Sequence, residues 1–250
     1  MSGHSKWATI KRKKGAIDAK RSSMFAKLLR AVEVAAREGG SGDPKANMTL
    51  ASAIDKAKSF SVPSDNIDRA IKRGTGAEAG GARYEEVVYE GYAAGGIAIV
   101  VQALTDNRNR TAQEVRHAFT RNSGNLGETG TTLWMFQRRG VLVVEKDAWA
   151  DEERLLELAL EAGADDLRDA ESSWEIVTEP TALKAVEGAL LAASVPVFSA
   201  DLTMVPQTTI PVDGGEAKQV LNLIEALEDL DDVQNVYANF DIPESVMAEL

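Results

Sequence analysis

Apolar residues recur at helical spacing through the first 80 positions of the chain. One face of a first helix carries Phe25, Leu28, Leu29, Val32 and Ala36, and Gly39-Gly40 predict its end. Asp43-Pro44 predict the N-cap and first turn of a second helix, and Pro63-Ser64-Asp65 those of a third. The pattern predicts a bundle of three short helices, followed by a linker from Gly74 to Ala82.

From residue 84 onward the pattern becomes that of strands. VVYEGY (87–92) and GIAIVVQAL (96–104) read as two strands, and Thr111 with Glu114 predicts a capping box that opens a helix. LWMF (133–136) and VLVV (141–144) read as two further strands, with RRG between them as a turn.

The last part of the chain repeats the strand–helix theme. A strand, a helix over 151–162, the strand WEIVT (174–178), a helix after Pro180 and an extended segment over 195–206 fit a ferredoxin-like split βαβ unit. TTIPV, a final helix and the strand NVYANF supply what residues 84–137 lack for a similar sandwich.

The predicted fold class is therefore an α+β multidomain protein. An N-terminal three-helix bundle is followed by two ferredoxin-like α/β sandwich domains, one inserted in the other. The predicted boundaries are 1–80 for a basic helical domain, 84–137 plus 207–250 for a discontinuous α/β domain, and 138–206 for an inserted acidic α/β domain.

Charge is distributed unevenly along these domains. The chain has a net charge of -11, yet nine of its first thirty residues are Lys or Arg and only Asp18 is acidic. Residues 141–250 hold 5 basic and 25 acidic side chains. A dense positive segment favours a polyanion as partner, since neutralised phosphates release counterions. For the acidic half there are three alternative roles. It keeps the protein soluble, it repels nonspecific nucleic acid, or it docks on a basic protein partner.

The composition argues against disulfide-bonded, thiolate-metal and membrane-spanning proteins. The chain has no cysteine, which excludes disulfides and thiolate metal sites, and no apolar run long enough to span a bilayer. We therefore expect a cytoplasmic protein without a membrane partner.

Catalytic chemistry has little support in the sequence. There are two histidines, no metal-ligand pattern, and no nucleophile–base spacing that stands out. The glycine-rich segment GNLGETGTT (124–132) lacks the Lys-Ser/Thr pair of a phosphate loop and precedes a strand. We expect a protein that is not an enzyme, with no catalytic residues, no cofactor, no metal and no small-molecule substrate.

The strongest candidate for nucleic-acid binding is the basic arm. Its predicted contact residues are His4, Lys6, Trp7, Lys11, Arg12, Lys13, Lys14, Lys20 and Arg21. Trp7 would stack on an unpaired base, or alternatively anchor the arm on the helical bundle. The basic run alternatively is a solvated tail.

A second candidate lies in the segment TDNRNRT (105–111). Arg108 and Arg110 flank a helix N-terminus, which favours anions, and Arg116 follows on that helix. Alternatively, Asp106 and Asn109 cap the helix while the arginines pair with nearby glutamates.

Four long motifs, in order between residues 3 and 136, resemble the YebC/PmpR family. They are GHSKWATIKRKKGAIDAKR, SDNIDRAIKRG, GGIAIVVQALTDNRNRTAQEVRHAF and GNLGETGTTLWMF. The resemblance implies three domains and the role of a probable transcriptional regulator that binds DNA. Mitochondrial members of the family resemble translational activators, and bacterial members are linked to stalled ribosomes.

Three functions follow as hypotheses. The first is a DNA-binding transcriptional regulator, as the resemblance implies. The second is an RNA-binding, ribosome-associated translation factor, because the arm shows no clear recognition helix and its Trp and His suit unstacked bases. The third is a protein-interaction adaptor that acts through the acidic half.

Overall fold

The N-terminal part of the protein is a helical bundle. In the computed structural model, which describes residues 21–77 and 83–243, it consists of α1 (Arg21–Glu38), α2 (Met48–Ser59) and α3 (Ser64–Gly74). Its apolar faces meet in one cluster, in which Val32, Ala36, Leu50 and Ala70 are fully buried. The 3–4-residue spacing of these positions places them on the inward faces of the helices.

Strands and further helices alternate over residues 85–241. The remaining helices are α4 (Arg108–Arg121), α5 (Glu152–Glu161), α6 (Leu183–Ala192) and α7 (Gly214–Glu228). The strands are β1 (Glu85–Tyr92), β2 (Ala98–Thr105), β3 (Asn125–Leu126), β4 (Phe136–Glu145), β5 (Asp166–Asp169), β6 (Ser173–Thr178), β7 (Val197–Pro206), β8 (Ile210–Pro211), β9 (Val233–Ala238) and β10 (Phe240–Asp241).

The first sheet has the order β3-β1-β2-β9 and is antiparallel throughout. Helices α4 and α7 cover one of its faces, where Ile99, Phe119 and Ile224 are fully buried. Its other face packs against the beginning of β4, where Val100 and Tyr237 meet Phe136. Strand β9, near the end of the chain, pairs with β2 and so completes a sheet that began at residue 85.

The second sheet has the order β5-β6-β4-β7 and is also antiparallel. Helices α5 and α6 cover one face, where Leu142, Leu155 and Ile176 are fully buried. Each helix joins two strands that have another strand between them, which is the split βαβ arrangement. A short parallel pair of β8 and β10 follows.

The predicted fold class is confirmed: a helical bundle precedes two α/β sandwiches, and the second sheet lies within the chain segment that separates the parts of the first. The domain boundaries given above stay a prediction.

Two predicted helix starts were wrong. Helix α2 begins at Met48 behind Asn47, whose side chain accepts a hydrogen bond from the Leu50 N–H, while Asp43 closes a separate turn. Helix α4 begins at Arg108, three residues before Thr111, and its N-cap is Asn107. Thr111 is buried inside the helix and is engaged in tertiary hydrogen bonds, so it does not cap.

The predicted turn at Arg138-Arg139-Gly140 was also wrong, because β4 runs through it without interruption. Gly140 pairs with Leu202 of β7 and lies against Leu183 of α6, where an added Cβ would approach the Leu183 Cβ within 2.9 Å. The glycine therefore permits a close helix approach rather than a chain reversal.

Candidate nucleic-acid interface

Most of the predicted arm contacts fall on residues 1–20. His4, Lys6, Trp7, Lys11, Arg12, Lys13, Lys14 and Lys20 lie outside the described residues, and Arg21 is the first residue of α1, without a described side chain. These contacts stay predictions. What the structure gives is the place where the arm joins the folded protein.

The first half of α1 is fastened to the first sheet. Lys27 Nζ donates to the carbonyl of Glu228 at 2.5 Å, and Nη1 of Arg30 donates to the carbonyls of Leu104 and Asp231 at 3.1 and 2.9 Å. The middle of α1 therefore lies where α7 ends and β9 begins.

The second candidate segment lies at the same place. Arg110 Nη2 contacts Oδ2 of Asp232 at 2.6 Å and Oδ1 of Asp106 at 2.9 Å. Arg30 of α1 contacts the other oxygen of Asp232, at 2.9 Å. The structure thus brings the middle of α1 beside the N-terminus of α4, and both contact this carboxylate.

Asp232 is a buried anchor of this region. Its carboxylate is 4% exposed and also accepts hydrogen bonds from the hydroxyls of Thr105 and Thr111, at 3.0 and 2.7 Å. Burial raises the pKa of Asp232, but the hydrogen bonds from Arg110 and the threonines outweigh it and hold the pKa below its ordinary value. The same pairing raises the pKa of Arg110.

The three predicted arginines of α4 are all exposed and differ in their carboxylate partners. Arg110 is held by carboxylates, whereas Arg108 makes one 3.6 Å ion pair with Glu85 and keeps 62% of its side chain exposed. Arg116 is exposed on the outer face of the helix. The cap of α4 is Asn107, rather than Asp106 or Asn109. Arg110 is itself 45% exposed, but two carboxylates occupy its guanidinium, so Arg108 and Arg116 are the better candidates of this set for a phosphate contact.

A cavity of about 560 Å³ lies between Arg30, Tyr84 and Arg110. Its remaining lining is mostly carboxylate, from Asp106, Glu114, Asp229, Asp231 and Asp232. This balance of charge does not favour a phosphate inside the cavity.

The glycine-rich segment before β4 forms a clamped loop. Glu90 of β1 is 2% exposed, and its carboxylate accepts hydrogen bonds from the N–H groups of Gly130, Thr132 and Leu133 at 2.6–2.7 Å. Burial raises the pKa of Glu90, but these backbone donors outweigh it and hold the pKa below its ordinary value. One buried carboxylate therefore fixes the path of the loop.

Trp134 projects from the end of this loop and is 67% exposed. Its indole N–H donates to the carbonyl of Thr131 at 3.1 Å, and its own carbonyl accepts from Gln207 at 3.1 Å. An exposed aromatic side chain on a fixed backbone suits stacking on an unpaired base. Sequence reasoning rejected the loop as a phosphate loop and did not consider Trp134; the available signal was a lone glutamate on the apolar strand VVYEGY.

Arg108 and Trp134 lie near opposite ends of β1. Arg108 pairs with Glu85 at the start of the strand, and the loop of Trp134 is held by Glu90, five residues further on. Five residues of a strand span roughly 17 Å. Arg108 and the exposed tryptophan are therefore separate contact points rather than one compact pocket.

Two further observations concern residues 21–77 and 83–243. No group of three or more His, Asp or Glu side chains there is arranged to hold a metal ion. None of the helices in those ranges is both long and apolar enough to cross a membrane.

Two family models match the chain. Residues 5–77 match the TACO1/YebC protein N-terminal domain, and residues 84–240 match the TACO1/YebC second and third domain. Two similar proteins carry the name probable transcriptional regulatory protein. The protein of Beutenbergia cavernae is 56% identical, over 100% of this chain and 99% of its own length. The protein of Pelotomaculum thermopropionicum is 55% identical, over 97% of this chain and 99% of its own length.

A similar solved structure is that of a conserved hypothetical protein from Aquifex aeolicus. It superposes with a TM-score of 0.79 at 46% sequence identity, covering 91% of this chain and 93% of the other.

Proposed function

The chain belongs to the TACO1/YebC family, and we propose that it is a non-catalytic, nucleic-acid-binding regulator of gene expression. The observation that carries the proposal is the charge of the N-terminal segment: nine of the first thirty residues are Lys or Arg, most of them in the arm, on a chain of net charge -11. Such a segment gains affinity for a polyanion by counterion release.

Double-stranded DNA is the first proposed target. The names of the relatives support a role in transcription. The arm would neutralise phosphates through its lysines and arginines, while Arg108 and Arg116 would add contacts from α4. Phosphate contacts of this kind position a protein without reading sequence.

Single-stranded RNA, including ribosomal RNA, is the second proposed target. The observation that favours it is Trp134, an aromatic side chain that is 67% exposed on a loop clamped by a buried carboxylate. Unpaired bases stack on such side chains, whereas the bases of a duplex are already stacked.

The decisive experiment compares three ligands at matched salt: duplex promoter DNA, single-stranded RNA and purified ribosomes. Gel shifts report the first two, and co-sedimentation reports the third. Preference for duplex DNA supports the transcriptional role, and preference for RNA or ribosomes supports translation.

The role of the arm is tested in the same assays with the variant K11A/R12A/K13A/K14A. Its matched control is K45A/K56A/K58A/K72A, which replaces four exposed lysines of the N-terminal helical region. Both variants lose four positive charges. We expect the arm variant to lose binding and the control to keep it. Full binding by the arm variant to every ligand would overturn the proposal.

A further inference from the structure

The outer surface of α4 carries a stripe of side chains that face away from the sheet. They recur every three or four positions along the helix: Asn109, Ala112, Gln113, Arg116 and Thr120. With 3.6 residues per turn, these positions share one side of a 14-residue helix, which is about 21 Å long. Ala112 is half-buried and the other four are exposed, whereas Val115 and Phe119, on the opposite side, are buried in the core. We call these five residues the α4 stripe.

The polar side chains of the α4 stripe are not used by the fold. Among the described residues, none forms a hydrogen bond or ion pair with the side chain of Asn109, Gln113 or Arg116. The hydroxyl of Thr120 donates to the carbonyl of Arg116 at 2.9 Å, which is a contact within the helix. Two amides and one guanidinium on a packed helix are therefore free to contact a ligand.

The charge of α4 favours a polyanion at this surface. Helix α4 has four arginines and one glutamate, whereas its counterpart α5 in the second sandwich has four glutamates and one arginine. The α4 glutamate, Glu114, is half-buried and lines the acidic cavity together with Arg110. Those two positions lie roughly 120° around the helix axis from the stripe, which itself contains no carboxylate. Since Glu85 of β1 is paired with Arg108 as well, a polyanion can approach the helix from the side of the stripe.

The residue types of the stripe indicate which polyanion fits. In the major groove of duplex DNA, Asn and Gln pair with adenine, Arg pairs with guanine, and a small apolar side chain contacts the thymine methyl group. That groove is about 12 Å wide and admits one α-helix, whereas side chains cannot read the deep, narrow major groove of an RNA duplex. Unpaired bases stack on aromatic side chains, and the stripe contains none. The α4 stripe therefore fits duplex DNA.

We propose that α4 lies in the major groove of duplex DNA and reads its base sequence through the α4 stripe. Gln113 and Arg116, in the middle of the stripe, pair with adenine and guanine, and Asn109 adds a second amide contact. In this arrangement Arg116 contacts a base, while the basic arm and Arg108 bind phosphates. The inference rests on the proposed function, with DNA as the target, and adds that affinity depends on sequence as well as on charge.

Base reading is tested by selecting binding sites from a random-sequence library of DNA duplexes in about 0.15 M salt. The test variant is Q113A/R116A. Its matched control is K218A/Q219A, which also removes one basic and one amide side chain, both exposed on α7. We expect wild type and the control to enrich one motif that contains adenine and guanine. The test variant should bind that motif roughly 5- to 100-fold more weakly, with a much smaller loss for duplexes that lack the motif.

A second variant, R116Q, distinguishes base reading from a loss of charge. Because glutamine pairs with adenine where arginine pairs with guanine, the selected motif should change from guanine to adenine at one position and stay the same elsewhere. Melting curves of all the variants should match that of wild type, since the replaced side chains are exposed and have no partner within residues 21–77 and 83–243.

The outcomes separate this inference from the proposed function. Binding of the library without enrichment of any motif overturns base reading by α4 and leaves the proposed function in place. Enrichment of an unchanged motif by both Q113A/R116A and R116Q does the same. Binding of single-stranded RNA but of no DNA also overturns base reading. If the protein binds neither polymer, the proposed function itself fails.

Discussion

Arg30 and Asp232 are 202 positions apart in sequence, and their side chains meet at 2.9 Å. The same guanidinium nitrogen also donates to the carbonyls of Leu104 and Asp231. One arginine of the helical bundle thus holds the end of β2 and the turn before β9. The bundle is therefore fastened to the sheet by a buried carboxylate, and not by the chain connection alone.

Replacing Asp232 with Asn should destabilise the protein by about 3 kcal/mol, because a buried carboxylate that serves two arginines and two threonines loses its charge. Chemical denaturation at neutral pH measures the change. The control is D231N, an exposed neighbour, which should stay within about 0.5 kcal/mol of wild type. Equal effects of the two variants would contradict the anchoring role.

Replacing Glu90 with Gln should cost about 1–3 kcal/mol, since an amide oxygen is a weaker acceptor for three backbone N–H groups and the amide N–H₂ adds unpaired donors. The folded-state pKa of Glu90 is lowered, so its stabilisation is full above the unfolded pKa of about 4.3 and is lost as pH falls through the lower folded value. The difference in unfolding free energy between wild type and E90Q should therefore shrink below pH ~4. A difference that stays constant down to pH ~3 would contradict this assignment.

Replacing Trp134 with Ala should weaken binding of single-stranded RNA by about 1–3 kcal/mol if the side chain stacks on a base. Stability should change little, because the side chain is 67% exposed. W134F keeps an aromatic face and should retain most of the affinity. Unchanged RNA binding by W134A would remove the observation that favours RNA as the target.

Variants of Arg108 and Arg110 should show that one arginine serves nucleic-acid binding and the other serves stability. R110A leaves Asp232 with one fewer cationic partner and should lower the melting temperature. R108A breaks only an exposed 3.6 Å pair, so it should leave the melting temperature nearly unchanged while it weakens nucleic-acid binding. Melting curves and gel shifts on both variants measure the two effects, and a large loss of stability in R108A would contradict the separation.

Affinity for nucleic acid should fall steeply with salt. If seven basic side chains, from Lys6 to Arg21, each neutralise a phosphate, the log–log slope is roughly -5 to -6. Removing Lys11, Arg12, Lys13 and Lys14 should make the slope shallower by about 3. A titration by fluorescence anisotropy over a range of NaCl concentrations measures both slopes, and an unchanged slope in the variant would show that those four residues touch no phosphate.

Much of the fold was accessible from sequence because the strongest patterns are local. Helical spacing in residues 25–36 and apolar runs such as GIAIVVQAL identify their elements without knowledge of any partner. The errors occurred where a partner far away in the sequence determines the local structure. Thr111 has the sequence pattern of a cap, but its hydroxyl donates a hydrogen bond to Asp232, 121 positions away. Arg138-Arg139-Gly140 has the pattern of a turn, but β7 pairs with it along its whole length.

Weak patterns were missed for a related reason. The strand β5 has the sequence DLRD, and its polar residues give no alternation of apolar side chains. It is an edge strand that pairs only with β6, so its sequence need not be apolar.

Only part of the candidate site could be predicted from the sequence. The charge of the arm is visible in any window of the sequence, whereas Trp134 gains meaning from the loop that Glu90 clamps 44 positions earlier in the chain. The meeting of Arg30 and Arg110 at Asp232 could not be inferred, since it depends on how the bundle sits on the sheet.

The pairing of β2 with β9 sets an order of events during synthesis. Residues 136–206 contain the whole second sheet, so that sheet can form as soon as this segment has left the translating machinery. Strand β2 must wait with one edge unpaired until residues 233–238 emerge, because Val101 pairs with Val236. The second sheet is thus expected to form before the first, which β9 completes afterwards.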